Sequence, residues 1–173
     1  MEVATEQILI ARAEELRRGN KPLFEDPLYS GDEYFIFKFG QVIYAILINH
    51  IVEVIDFMPL IPMPTAASHF LGIMQWRGEI VCIVDIRNNL EIVHDEPNSE
   101  QVKWVICDTG NFLCGILVNE VIEKITIHQK DILNLNNSLM LQRFVNSGLK
   151  WQNRIVGILE IPSLLQQPEF LMG

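Results

Sequence analysis

The most regular feature of this sequence is a series of short apolar runs. From Glu33 onward, runs rich in Ile, Val and Phe alternate with Gly, Asn and Pro positions. Runs of about four to eight such residues, bounded by turn residues, are typical of β-strands. The pattern predicts a mainly all-β chain built as a barrel or sandwich. The predicted strands are 34–39, 42–47, 51–56, 71–76 and 80–85 in a first series, and 102–108, 112–118, 121–127, 145–151 and 154–161 in a second.

The remaining segments predict little regular structure apart from a helix near the N-terminus. Residues 1–32 are interpreted as a helix and a linker, because Thr5 can cap a helix with apolar residues at helical spacing and Gly19 can end it. Whether this helix packs on the body or on a partner stays open. The stretches 129–144 and 162–167 are predicted to be partly helical, and residues 168–173 form a tail.

The two series of strands are copies of one unit. Identical residues recur 70 positions apart: Gly40 and Gly110, Ile46 and Ile116, Leu47 and Leu117, Asn49 and Asn119, Glu53 and Glu123, and Ile55 and Ile125. From Trp76 and Trp151 onward the spacing is 75, so the second copy holds about five extra residues. Each copy is expected to close into a small five-stranded barrel. Two intertwined barrel lobes, with repeat halves of about 33–90 and 102–161, are expected to form one domain of residues 33–167, and the seam between them is the natural place for a groove.

Two turns carry the most specific expectations. Arg77-Gly78 predicts a tight hairpin turn that fixes an arginine at its tip, and Asn153-Arg154 is expected to replace it in the second copy. Arginine is favoured at protein interfaces, although a solvated turn residue is the plain alternative. Gly110-Asn111 predicts a two-residue turn that places Cys107 opposite Cys114.

Composition and charge exclude several function classes. The 173 residues carry a net charge of −9, which disfavours nucleic acid as a partner. The N-terminus does not read as a secretory signal, and the longest apolar run, 42–55, is shorter than the roughly 20 residues of a membrane helix. We therefore expect a cytoplasmic protein without direct membrane insertion. The four histidines and three cysteines lack ligand spacing and no catalytic motif occurs, so no enzyme activity, cofactor or metal is expected.

The segment 72–87 resembles the CheW family of chemotaxis coupling proteins, whose pattern reads roughly G-x-x-N-L-R-G-x-I-V-P-I-V-D-L-R. Here it appears as GIMQWRGEIVCIVDIR, and the resemblance extends over about residues 33–166. This sequence departs from the family pattern at Trp76, where Leu is usual, at Cys82, where Pro is usual, and at Lys124, where an apolar residue is common.

This resemblance implies a fold of two five-stranded barrels and a non-enzymatic adaptor. The partners that it implies are a CheA-type histidine kinase and the cytoplasmic tip of a chemoreceptor, in chemotaxis or pilus-based motility. The positions matched to the receptor groove are Ile48, Ile51, Glu53, Gly115 and Val121. Those matched to kinase or receptor contacts are Gly72 and Arg77. The alternative is a regulatory module that binds a small molecule in the groove between the barrels.

Overall fold

The structure, a computed structural model, describes residues 31–64, 67–93, 101–136 and 143–171. The predicted N-terminal helix lies outside these residues. The strands are β1 (Asp32–Phe39), β2 (Val42–Leu47), β3 (Ile51–Asp56), β4 (Phe70–Trp76), β5 (Glu79–Val84), β6 (Lys103–Asp108), β7 (Leu113–Val118), β8 (Glu120–Ile127), β9 (Leu133–Asn134), β10 (Ser147–Trp151) and β11 (Arg154–Ile158). Two short helices follow, α1 (Ile161–Leu165) and α2 (Pro168–Leu171), and 3-10 turns occupy Ile48–His50 and Gln129–Asp131.

The ten predicted strands are confirmed, and all but one of their ends lie within two residues of the prediction. The exception is the last strand, which ends at Ile158 because α1 begins at Ile161 with Pro162 in its first turn. The predicted helical stretch 162–167 is confirmed as α1. In the stretch 129–144 the described residues form a 3-10 turn and the short strand β9, which was not predicted.

The strands form two mixed sheets in which most neighbouring strands are antiparallel, and each sheet contains strands from both copies. One sheet has the order β8-β1-β2-β11-β10-β9 and the other β3-β6-β7-β5-β4. We call them the six-stranded lobe and the five-stranded lobe. The six-stranded lobe takes β1 and β2 from the first copy and β8 to β11 from the second, whereas the five-stranded lobe takes β3 to β5 from the first copy and β6 and β7 from the second. The expectation that each copy closes on its own is therefore wrong.

The exchange has a local cause in the chain after each first hairpin. Residues 48–50 turn the chain from β2 of the six-stranded lobe into β3 of the five-stranded lobe. The equivalent residue Asn119 passes the chain from β7 to β8 in the opposite direction. Four pairings therefore join the copies: β5 with β7 and β11 with β2 are parallel, and β1 with β8 and β3 with β6 are antiparallel.

Apolar residues divide among three clusters because successive strand residues face opposite sides of a sheet. The largest cluster draws fully buried residues from both sheets, among them Phe37, Ile46, Val105 and Ile116, and so lies between them. Each lobe also has an interior cluster of its own. The six-stranded lobe encloses one around Leu149, and the five-stranded lobe encloses one around Ile83.

The hairpin turn of the first copy has the predicted residues, whereas the turn of the second copy lies one residue earlier than predicted. Arg77 and Gly78 both have positive φ, and Trp76 pairs with Glu79, so the predicted two-residue turn is confirmed. In the second copy Trp151 pairs with Arg154, so the turn is Gln152-Asn153 rather than Asn153-Arg154. Hairpin turns of this kind need positive φ at both central residues, which asparagine tolerates well. Arg154 instead begins β11.

The cysteines form a row across the five-stranded sheet. Cys107 lies opposite Cys114, as predicted, and Cys82 is the neighbour of Cys114 on the other side. All three are free thiols. Burial raises the pKa of Cys114 to about 12 and also raises the pKa of Cys107. Because the thiolate is the reactive form, these two residues serve packing rather than chemistry.

Candidate partner-binding site

The hairpin tip of the five-stranded lobe joins the two edges of its sheet through side chains. Glu53 lies on β3, at one end of the strand order, and Trp76 ends β4, at the other end. The Trp76 indole Nε1 donates a hydrogen bond of 2.8 Å to Glu53 Oε2. This bond links the first and last strands and thereby helps to close the lobe.

Arg77 is held against the same two residues. Its Nη2 lies 3.0 Å from Glu53 Oε2, and its guanidinium carbon lies 4.8 Å from the centre of the Trp76 ring. The Arg77 side chain is nevertheless 67% exposed, against 34% for Glu53. An exposed ion pair of this kind contributes only ~0.2–1 kcal/mol to stability. The arrangement thus fixes the arginine at the surface more than it stabilises the fold.

The six-stranded lobe repeats half of this arrangement. The Trp151 indole donates a hydrogen bond to Glu123, and these residues are the repeat equivalents of Trp76 and Glu53. Arg154 lies 5.6 Å from the centre of the Trp151 ring. In the part of the chain that the structure describes, no ion pair joins Arg154 to Glu123. The tryptophan–glutamate bond is therefore common to both lobes, whereas the paired arginine belongs to one.

Three of the residues predicted for the groove lie where the two sheets meet. Ile51 and Val121 are repeat equivalents, both are partly exposed, and both pack against the cluster between the sheets. Ile48 is half-buried in the 3-10 turn before β3. Phe35 and Val54 border the same cluster and are also partly exposed, although the sequence analysis did not single them out. We call Phe35, Ile51, Val54 and Val121 the seam residues.

The two glycines predicted as contacts are buried instead. A Cβ on Gly115 would lie 2.2 Å from Ile83 Cδ1, inside the five-stranded lobe. Gly72 has a φ of 147°, and a Cβ there would lie 2.7 Å from the carbonyl oxygen of Ile61. Gly72 therefore requires glycine, because its φ and the backbone oxygen of Ile61 exclude a side chain, whereas a side chain at Gly115 would displace Ile83 Cδ1. The structure thus shows a packing role for both glycines, and their part in partner binding stays a prediction.

An apolar surface beside Gly72 was missed by the sequence analysis. The segment 57–64 is free of charge and contains three prolines, and Ile61 bridges to Ile73 on the edge strand β4. Phe57, Ile61 and Met63 are exposed along it, and Ile80 on the neighbouring strand is 73% exposed. The signal was available in the sequence as an uncharged, proline-rich run between two strands.

Ion pairs elsewhere serve the structure. Arg87 donates to Asp85 through Nε at 2.9 Å and through Nη2 at 2.6 Å, and both residues are buried at the end of β5. At the end of β3, a hydrogen bond from Lys103 lowers the pKa of the exposed Asp56 carboxyl.

An apolar pocket lies outside the site described above, and the described residues contain no metal cluster. Within the described ranges, no group of three or more His, Cys, Asp or Glu side chains is placed to hold a metal ion. An open apolar pocket of about 280 Å³ lies on the six-stranded lobe, lined by Val42, Ile43, Tyr44, Leu135, Val145, Ile155 and Gly157. Burial raises the pKa of Tyr44 to about 12. This pocket belongs to one lobe and is not the predicted groove between lobes.

Among the described helices, none is both long enough and apolar enough to span a membrane.

Comparison with known proteins decides the family. The model of the CheW-like domain matches residues 33–169. The chain belongs to this family. The chemotaxis protein CheW of Rhizobium meliloti (strain 1021) is 26% identical over 141 residues, which cover 80% of this chain and 90% of that protein. The chemotaxis protein CheW of Helicobacter pylori is 22% identical over 160 residues, covering 92% and 94%.

A solved structure agrees with the fold of this CheW-like chain. The scaffolding protein TtCheW from Thermoanaerobacter tengcongensis superposes with a TM-score of 0.72 at 18% identity. The match covers 80% of this chain and 95% of that one. The predicted all-β architecture of two similar lobes is thus confirmed as the CheW fold.

Proposed function

We propose that this protein is a non-enzymatic adaptor that couples chemoreceptors to a CheA-type histidine kinase in bacterial chemotaxis, and that it works in the cytoplasm. The CheW-like domain over residues 33–169 carries this proposal. Six relatives at comparable similarity are named as CheW proteins of chemotaxis, which favours chemotaxis over pilus-based motility. An adaptor needs separate surfaces for its two partners, and two candidate surfaces are present.

The receptor is proposed to bind at the seam. Its tip would lay the apolar face of a helix against Ile51 and Val121, with Ile48 beside them, as helices do in apolar grooves. The supporting observation is that Ile51 and Val121 are both partly exposed at the border of the cluster between the sheets. Burial of one such side chain contributes ~1.5–3 kcal/mol. Gly115 would support this surface indirectly, through the packing of β7 against Ile83.

The kinase is proposed to bind at the hairpin tip of the five-stranded lobe. Arg77 would supply the polar contact there, because its exposed guanidinium can donate several parallel hydrogen bonds to a carboxylate. Gly72 would contribute by letting the apolar segment 57–64 lie against β4. Glu53 takes part through its bond to Arg77 rather than as a member of the receptor groove.

The seam proposal is tested by Ile51→Asp. We expect co-sedimentation with receptor fragments to weaken at least about tenfold, because a carboxylate would have to be buried without a partner on binding. Val52→Asp is the matched control, since Val52 is the next residue, is exposed, and is not among the described residues that pack against the cluster. Equal receptor binding by the two variants, both folded by circular dichroism, would refute the seam as the receptor site.

A further inference from the structure

We propose that Trp76 is a positioning residue that holds Arg77 in the orientation required by the partner. This inference rests on the proposed function, because it takes Arg77 as the polar contact of the hairpin tip. It adds a residue at which this sequence departs from the family pattern, where leucine is usual. Leucine can neither donate a hydrogen bond nor offer an aromatic face.

The geometry gives Trp76 two separate contacts with the arginine site. Its indole Nε1 and the Arg77 Nη2 both donate to the same atom, Glu53 Oε2, at 2.8 and 3.0 Å. The indole therefore fixes the carboxylate oxygen that in turn fixes the guanidinium. The ring also lies under the guanidinium, 4.8 Å from its carbon, within the range of a cation–π contact.

The backbone adds to this restraint. Arg77 has a φ of 47° and Gly78 a φ of 85°, so the arginine sits in a tight turn that closes on the pairing of Trp76 with Glu79. A long side chain at such a tip would otherwise sample many rotamers, and immobilising it on binding would weaken the complex. Held by Trp76 and Glu53, Arg77 presents the rest of its five N–H donors to a partner carboxylate.

The six-stranded lobe provides an internal comparison that separates positioning from folding. Trp151 makes the equivalent bond to Glu123, but Gln152 stands at the place of Arg77. A purely structural role would make the two tryptophans equivalent. A positioning role makes Trp76, and not Trp151, matter for partner binding.

The test compares the affinities of the full-length variants for the CheA-type kinase encoded in the same genome, measured by calorimetry. We expect Trp76→Leu to weaken kinase binding about 2- to 12-fold, the range for releasing one long side chain. Trp76→Phe retains the ring and loses the indole donor, so its loss should be smaller. Trp151→Leu should bind like the wild type.

Double variants decide whether Trp76 acts through Arg77. In an Arg77→Ala background, adding Trp76→Leu should change the affinity less than about twofold, since the interaction energy of coupled residues is not additive. An equal loss in both backgrounds, or wild-type affinity of folded Trp76→Leu and Trp76→Phe, would overturn the positioning role. If Trp76→Leu fails to fold, the kinase affinities of Trp76→Phe and Glu53→Gln, each measured with and without Arg77→Ala, serve the same purpose. A lack of effect from Arg77→Ala alone would instead refute the proposed kinase site.

Discussion

The two hairpin tips of this protein share one bond and differ in one residue. Both lobes join strands through a tryptophan indole bonded to a glutamate, Trp76 with Glu53 and Trp151 with Glu123. Only the five-stranded lobe follows its tryptophan with an arginine, which pairs with that glutamate. The tryptophan–glutamate hydrogen bond is therefore a feature of the fold that both lobes share. The arginine is an addition to it, and it is the feature to which we assign partner binding.

The connections that lead into β4 and into β10 show a second difference between the lobes. Ile61 and Met63 of the five-stranded lobe are exposed, and Met63 is 41% accessible. Their counterparts by strand pairing, Leu133 and Leu135, are more covered, with Leu135 at 4%. The described part of the second copy's connection thus buries Leu135, whereas Ile61 and Met63 of the first copy's connection stay exposed, with Ile61 next to β4.

The largest effect is expected at a buried pair that only one lobe has. Asp85 and Arg87 are 5% and 6% exposed, whereas Glu160 and Pro162 stand at the equivalent places in the other lobe. We expect Arg87→Ala to lower the free energy of unfolding by ~3–5 kcal/mol, because it leaves a buried carboxylate without its cation. Urea denaturation measures this change. Glu160→Gln is the control and should cost less than about 0.5 kcal/mol, and a similar cost for both would remove this distinction between the lobes.

A smaller effect is expected inside the lobes, where Gly115 of the five-stranded lobe is the repeat equivalent of Ala45 in the six-stranded lobe. Both are buried, but a methyl group on Gly115 would lie 2.2 Å from Ile83 Cδ1. We expect Gly115→Ala to destabilise the protein by ~1–3 kcal/mol through overpacking. The paired variant Gly115→Ala with Ile83→Val should recover part of the loss, since Val lacks the Cδ1 atom. No loss on Gly115→Ala, measured by thermal unfolding, would mean that the interior of the five-stranded lobe adapts easily.

The sequence predicted local features better than those that join distant residues. Strand positions, the Arg77-Gly78 turn and the equivalence of Trp76 with Trp151 follow from apolar patterning and turn residues. The exchange of strands between the copies does not, because the repeat shows which strands are alike but not which ones pair. The contact of Gly115 with Ile83 likewise depends on the parallel pairing of β5 with β7.

The candidate site shows the same division. The repeat aligns Glu53 with Glu123, and the hairpin motif singles out Arg77. The hydrogen bond from Trp76 to Glu53 could not be predicted, because Glu53 lies 23 residues away on the opposite edge of the sheet. The second turn was also predicted one residue too late. The spacing of 75 already aligns Gln152 with Arg77, and the pairing of Trp151 with Arg154 confirms this alignment.

The variant with the smallest expected change in stability is also the one whose change in binding is most informative. Arg77→Gln gives the tip of the five-stranded lobe the residue that the six-stranded lobe has at the same place. The exposed ion pair predicts a loss of stability below ~1 kcal/mol. The decisive measurement is the dissociation constant of this variant for the CheA-type kinase. We predict binding about tenfold weaker than that of the wild type, and an unchanged dissociation constant would contradict the assignment of partner binding to Arg77.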